Sequence, residues 1–178
     1  MAAKYKLKDV SQLAGREIFV DANVLIYLFW PTGTMYWETN YARTFAQLLK
    51  QKNPLFVDFI VLSEIINRVM RIEHNNLQNY QQTICRYKDF RDSQEGKDAL
   101  SDIYLIVKDD ILKQFKVIGK TFELKDIEAF LVLDDLDFMD KSTVSICRDH
   151  NFVLFTNDKD FGNTDLDILT GNTNILKP

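Results

Sequence analysis

The sequence is poor in the residues that staple small secreted proteins or build zinc sites. It has two cysteines and two histidines in 178 residues. Cys85 and Cys147 lie far apart, and neither has a second Cys or His at ligand spacing, which disfavours a disulfide framework and a zinc site. Both read as plain reduced side chains. His74 and His150 are equally isolated, and His150 closes a predicted helix, where an imidazole suits the negative end of the dipole. With three prolines and six glycines, the chain shows no low-complexity tract, linker or internal repeat. Long hydrophobic runs are missing too. Its apolar stretches are far too short to span a bilayer, and Met1-Ala2-Ala3-Lys4-Tyr5-Lys6 has no apolar core of a signal peptide. No membrane association and a cytoplasmic location are therefore expected. A basic excess is absent as well: the formal charge is −4, which speaks against a strong general attraction for nucleic acid. Carboxylates gathered in a metal site would contribute much of that charge, and two divalent cations would cancel it, so a nucleic-acid substrate stays open.

What is present is an ordinary globular composition, 46% apolar and 27% charged, in a length that suits one domain over residues 1–178. Ile18-Phe19-Val20 is a short β-branched and aromatic run, as expected of a fully buried strand. Val24 to Leu28 predicts a short helix ended by Pro31-Thr32-Gly33, and Ala42, Phe45, Ala46, Leu48 and Leu49 recur at helical spacing. Leu55-Phe56-Val57 is a second buried strand, followed by a helix marked by Leu62, Ile65, Ile66, Val69 and Met70. Leu77, Tyr80, Ile84 and Tyr87, then Leu100, Ile103, Tyr104, Val107 and Ile111, predict a helical hairpin inserted over 75–114, with Gly96 between its arms. Phe115 to Ile118 is the expected third strand, Asp126 to Leu133 and Lys141 to His150 the next helices, Val153-Leu154-Phe155 the fourth strand, and Leu166 to Leu169 a fifth. This alternation predicts an α/β fold whose central parallel sheet of about five strands is flanked by helices. Residues 1–15 read as a loosely attached extension.

Acidic residues stand where strands end or helices begin. Asp21 follows the first strand, Glu64 lies early in the helix after the second, Asp140 heads the helix before the fourth strand, and Asp158 follows that strand. In an open parallel sheet the ligand crevice lies outside the carboxyl ends of the strands, so Asp21, Glu64, Asp140 and Asp158 can converge there. Carboxylates gathered without Lys or Arg repel one another, and a hard divalent cation is the usual remedy. Such a site would hold one or two Mg²⁺ or Mn²⁺ ions, activate a water and clamp the phosphate oxygens at a scissile bond. Each Asp alone more often simply caps a helix; four in register through a βα alternation argue for more. Asn23 is placed to orient the attacking water or to cap its helix, Asp137 and Asp160 are auxiliary ligands or solvated loop acids, and Thr156 and Asn157 are placed to bond the ligating carboxylates.

These segments carry a resemblance. Phe19-Val20-Asp21-Ala22-Asn23-Val24-Leu25, Leu62-Ser63-Glu64-Ile65, Asp140 before its helix and Phe155-Thr156-Asn157-Asp158-Lys159-Asp160-Phe161 resemble the motifs of PIN-domain ribonucleases of the kind found in bacterial VapC toxins. The resemblance runs from residue 18 to about 170. It implies a Mg²⁺- or Mn²⁺-dependent endonuclease of single-stranded RNA with Asp21, Glu64, Asp140 and Asp158 as its acidic quartet, products bearing 5′-phosphate and 3′-hydroxyl ends, a homodimer, and a protein antitoxin as inhibitor. Two features depart from the pattern. Lys141 stands where similar proteins commonly carry a small residue, either lending charge near the phosphate or pointing to solvent. The 75–114 insertion is longer than such toxins have, and its Arg86-Tyr87-Lys88-Asp89-Phe90-Arg91 stretch suits single-stranded RNA, against the simpler reading of an amphipathic helix with its aromatics in the core. Arg68, Lys141, Arg86, Lys88 and Arg91 are the candidate RNA contacts.

Other classes fit less well. A haloacid-dehalogenase-type phosphatase needs a second Asp two residues after its nucleophile, where this chain has Asn23. A ribonuclease-H-like nuclease places its first Asp on an antiparallel hairpin, whereas a helix is predicted directly after Asp21. A PIN-like module that grips RNA or protein without cutting is the remaining alternative, and the retention of every presumed acidic ligand weighs against it.

Overall fold

The computed structural model describes residues 2–30, 33–81 and 85–177. Six strands form one wholly parallel sheet: β1 Lys4–Lys6, β2 Ile18–Val20, β3 Leu55–Asp58, β4 Lys116–Ile118, β5 Val153–Phe155 and β6 Ile168–Thr170, in the spatial order β1-β6-β5-β2-β3-β4. β2, β5 and β6 are buried along their whole length because helices cover both faces, which is why they read as unbroken apolar runs rather than as alternating ones. Full burial of each Val, Ile or Phe in these strands contributes about 1.5–3 kcal/mol.

The sheet order reverses between β2 and β5. From β2 the chain builds outward through β3 and β4, then returns to add β5 and β6 on the other side. Val20 pairs with Phe155, and the Asp21 amide donates to the Phe155 carbonyl at 3.1 Å. The chain segments leaving β2 and β5 are therefore neighbours at the point where an open α/β sheet leaves a crevice.

The helices are α1 Ala22–Phe29, α2 Met35–Lys50, α3 Phe59–Gln81, α4 Tyr87–Asp92, α5 Gln94–Ile106, α6 Leu112–Gln114, α7 Leu124–Phe130 and α8 Phe138–His150, with 3-10 turns at Leu7–Leu13 and Lys159–Asn163 and a π-helical turn at Val107–Ile111. Asp side chains at strand ends start several of them. Asp21 Oδ1 accepts from the Ala22 amide at 2.7 Å, Asp58 Oδ1 from Val61 at 2.7 Å, and Asp158 Oδ1 from Asp160 at 3.1 Å. α8 ends at Asn151, whose left-handed backbone (φ 53°) suits Asn.

Two sequence expectations change. The segment before residue 16, read as a loosely attached extension, instead supplies a sixth strand: Lys4, Tyr5 and Lys6 pair with Ile168, Leu169 and Thr170, and Val10 and Leu13 are buried below. Its polarity belongs to an edge strand, which needs few apolar residues. The 75–114 hairpin is partitioned differently. With no Pro or Gly to stop it, α3 runs unbroken to Gln81 and takes Leu77 and Tyr80 with it, Ile84 lies outside the described residues, and Tyr87 opens a separate short helix. Gly96 lies in the first turn of α5 rather than between two long arms. A Cβ there would sit 2.0 Å from the Phe90 carbonyl oxygen, so only glycine allows α4 and α5 to meet this closely.

Candidate functional site

Asp21 lies at the floor of the crevice, 9% exposed. Its Oδ2 receives the Thr156 hydroxyl at 2.6 Å and the Asn23 amide at 2.7 Å. Thr156 Oγ1 also accepts the Asp158 amide at 2.9 Å, so one hydroxyl joins the residues that follow β2 and β5. Asn23 completes the connection by accepting the Asn157 amide on its Oδ1 at 3.1 Å. Thr156 bonds the Asp21 carboxylate as its position suggested, whereas Asn157 bonds Asn23, Tyr41 and Tyr27 rather than an acid, and Asn23 braces Asp21 while Asp21 itself caps α1.

Despite three donors, the Asp21 carboxyl is pushed up to about 6. Burial is the main cause, with Glu64 and Asp158 adding repulsion against the bond from Thr156. Asp140 is pushed up to about 7 by burial first, then by Asp137, Asp21 and Asp158. Asp21 therefore feels Glu64 and Asp158, and Asp140 feels Asp21 and Asp158, so the four acids form one electrostatic group. Glu64, Asp140 and Asp158 also line a common cleft, together with Asp137, Asp160 and one face of α3.

Asp140 does not head α8, as expected from sequence. Asp137 is the cap, its Oδ1 accepting the Met139 and Asp140 amides at 2.8 Å each, which sets Asp140 in the first turn. The auxiliary acids Asp137 and Asp160 both border the cleft, each tied to a local turn.

The candidate RNA contacts divide. Arg68 borders the cleft, with Nη1 2.9 Å from Glu64 Oε1. Lys141 does neither of the things expected of it. It is 8% exposed, and its ammonium donates to the Phe130 carbonyl at 3.1 Å and to the Val132 carbonyl, with Asp134 at 3.0 Å. It fastens the 130–134 loop, and its charge is not offered to a phosphate. Arg86 pairs with Asp89 and Arg91 with Asp92; Lys88 is exposed. Phe90 is buried and Tyr87 packs beside it, the arrangement of an amphipathic helix with aromatics inward.

Several residues were missed by the sequence reading. Tyr41 donates to Asn157 Oδ1 at 2.8 Å, Asn157 donates to Tyr27 at 3.1 Å, and Asn172 donates to the Asn157 carbonyl at 2.7 Å. Burial pushes the Tyr41 hydroxyl up to about 12, so it remains a donor. The only sequence signal for Tyr41 was its place on the buried stripe of α2. Asp58 had a clearer one, since Phe-Val-Asp closes β3 just as Phe-Val of β2 runs into Asp21. It is buried, burial raises its carboxyl, and its Oδ2 has no hydrogen-bond partner. Arg71, which borders the cleft one turn beyond Arg68, was also overlooked.

The donor set suits a hard divalent ion: several carboxylate oxygens, no sulfur or imidazole, and acids raised by burial and then by one another. Among the described residues no three potential ligands are yet gathered around one point. Glu64 faces Arg68, so ion binding by the quartet calls for side-chain rotation.

A family model described as PIN domain matches residues 18–166. A chain in the crystal structure of VapBC2 from Rickettsia felis, bound to a DNA fragment from their promoter, superposes with a TM-score of 0.50 at 15% identity, covering 86% of this chain and 97% of that one. The crystal structure of PAE2754 from Pyrobaculum aerophilum gives a TM-score of 0.48 at 16% identity, over 91% of this chain and 88% of that one. A comparison with curated proteins finds no match. The family match takes in β2 through β5 and every acid of the cleft, and the chain belongs to the PIN-domain family.

Proposed function

We propose that this protein is a Mg²⁺- or Mn²⁺-dependent endoribonuclease that hydrolyses single-stranded RNA, with Asp21, Glu64, Asp140 and Asp158 as its metal-holding and catalytic residues. PIN domains are generally nucleases. The observation that carries the reading is the convergence of these acids at the β2/β5 reversal, where burial first and then mutual repulsion raise Asp21 and Asp140, and neither makes an ion pair with Lys or Arg among the described residues. One or two bound cations would neutralise the scissile phosphate and lower the pKa of the attacking water.

The chain's own residues supply the frame. Thr156 and Asn23 fix Asp21, Thr156 also orders the Asp158 backbone, and Tyr41 and Tyr27 hold Asn157 from behind. Glu64 and Asp140 on the cleft walls orient the water that attacks phosphorus in line with the departing 3′ oxygen. The P–O3′ bond breaks, leaving a 5′-phosphate and a 3′-hydroxyl. A protein antitoxin, a homodimeric assembly and a cytoplasmic setting belong to the same proposal. The fold shared with a VapBC2 chain supports the antitoxin, and no helix among the described residues is long and apolar enough to cross a membrane.

The non-cutting RNA- or protein-binding module is favoured by one feature, the Glu64–Arg68 pair that turns an acid away from its partners. End-labelled single-stranded RNA, with single-stranded DNA as comparator, incubated with purified protein in Mn²⁺, Mg²⁺ or EDTA, separates the readings. Cleavage that needs metal and is lost in Asp21→Asn supports the nuclease. Cutting that persists in EDTA, or cutting shared by the variant, refutes it.

A further inference from the structure

Most basic residues near the cleft already have partners. Arg68 is paired with Glu64 and Lys141 is held by the 130–134 loop. Arg71 differs: it is exposed, borders the same cleft as Glu64, Asp140 and Asp158, and makes no ion pair among the described residues. Its guanidinium carbon instead lies 4.9 Å from the centroid of the Tyr87 ring. That ring is itself fixed. His74 meets it edge-on at 5.6 Å and lies 5.3 Å from the buried Phe90 ring, while the Cys85 carbonyl bonds both His74 Nε2 and Gln78 Nε2. The close approach at Gly96 holds Phe90 from the other side. α4 is thus seated on α3 so that one of its aromatics supports an arginine at the cleft rim.

We infer that Arg71, stacked on Tyr87, clamps a backbone phosphate of the RNA strand beside the carboxylate cleft, and that the 85–114 segment serves the substrate through this stack rather than through its own basic run. The inference rests on the nuclease reading of the cleft. Acids that hold a cation repel the phosphates flanking the scissile bond, so a strand lying across them needs a cation at the rim. Arginine suits the task because its planar fork matches phosphate oxygens, and stacking one face on an aromatic ring orders the fork in advance. The basic run of α4 is less suited, since Arg86 and Arg91 are offset by Asp89 and Asp92, which leaves exposed Lys88 as its one cation without an ion pair among the described residues. Arg71 is the binding residue here and Tyr87 a positioning residue.

The test uses the full chain and a short fluorescent single-stranded RNA, with affinity read by anisotropy in Ca²⁺ across a salt series and cleavage read separately in Mn²⁺. Arg71→Ala should weaken binding roughly tenfold, as for loss of a charge-assisted bond, and reduce the slope of log affinity against log salt by about 0.7. Arg71→Lys should keep the slope and recover only part of the affinity. Tyr87→Phe should bind as wild type, and Tyr87→Leu should lose affinity while keeping most of the slope. Unchanged affinity and slope in Arg71→Ala, with a lowered melting temperature in it and in Tyr87→Leu, would show a merely structural stack and overturn the clamp. RNA that is bound with the predicted Arg71 dependence but never cut would refute the nuclease and uphold the clamp. RNA cut normally with Arg71→Ala binding unimpaired would do the reverse.

Discussion

Replacing Asp21 by Asn should stabilise this protein when it is free of metal, and by an amount that depends on pH. The Asp21 carboxyl rises from 3.8 to about 6 on folding. That is roughly two units, and at about 1.36 kcal/mol per unit the ionised group costs the fold about 3 kcal/mol. The sign follows from proton counting. Between pH 3.8 and about 6 the folded chain holds a proton that the unfolded chain has released, so stability falls as pH rises through that window. The full cost is present above it, and none remains below 3.8. Asp140, raised to about 7, adds a cost of the same sign over a wider window.

Asparagine removes the charge but not every cost, because its amide group would face the Thr156 hydroxyl or the Asn23 amide, both of which now donate to Oδ2. Losing one or two of these bonds offsets about 1–2 kcal/mol. At pH 8 in EDTA the variant should therefore be the more stable by about 1–2 kcal/mol, a rise in melting temperature of roughly 2–8 °C for a chain of this size. Near pH 4 the order should reverse, since only the lost bonds remain. Saturating Mn²⁺ at pH 8 should raise the wild type and leave the variant where it was. Thermal melts of both proteins under these conditions decide the matter. A variant less stable than wild type by the same margin at both pH values would refute the argument, for it would mean that Asp21 is not paying for burial and repulsion.

Other substitutions give simpler expectations. Asp58→Asn keeps an acceptor for the Val61 amide and removes a buried charge; melting should rise by a few degrees with RNA cleavage unchanged, and loss of cleavage would instead place Asp58 in the catalytic set. Lys141→Met leaves the Phe130 and Val132 carbonyls without their donor and should cost about 1–3 kcal/mol by urea denaturation, whereas RNA affinity and its salt slope should not move. Gly96→Ala forces a methyl against the Phe90 carbonyl and should destabilise by about 1–3 kcal/mol or more, with faster hydrogen exchange at α4 and α5 as its local signature. Thr156→Val removes the hydroxyl that bonds Asp21 and the Asp158 amide; Mn²⁺ affinity measured by calorimetry should fall at least tenfold.

The inner sheet was legible because a strand buried on both faces leaves a compact signature, and Ile18–Val20, Leu55–Val57 and Val153–Phe155 each show it. The bond from Thr156 to Asp21 was legible because a short hydroxyl beside a strand-end Asp has few other groups to bond, whereas Asn157 turns away to Tyr41, Tyr27 and Asn23. β1 was not, because Lys4-Tyr5-Lys6 is an edge segment stabilised by main-chain pairing to a strand at the opposite end of the sequence. Lys141 misled because periodicity places a side chain on a helix face without saying what covers that face. Here the 130–134 loop covers it with carbonyls that accept the ammonium. Arg71 escaped notice because its partner ring comes from another helix, and a cation–π contact leaves no spacing in sequence.

Asp21, Asp137 and Asp158 each cap a helical segment at the cleft, and this double role has a structural consequence. A side chain that only capped would be free to rotate its second oxygen, and one that only bound a cation would have no fixed position before the ion arrived. Asp158 uses Oδ1 on the Asp160 amide and Asp137 uses Oδ1 on two amides of α8. Asp21 uses Oδ1 on Ala22 and turns Oδ2 to Thr156 and Asn23. Each cap thus fixes one oxygen by the backbone and thereby aims the other. Glu64 has no such anchor: it lies within α3, reaches out on a longer side chain and is held by Arg68 alone. Metal binding by the quartet should accordingly be limited by the release of Glu64 from Arg68 rather than by movement of the aspartates. Arg68→Ala should tighten Mn²⁺ binding, and calorimetry showing weaker binding in that variant would mean that the pair is part of the assembled site.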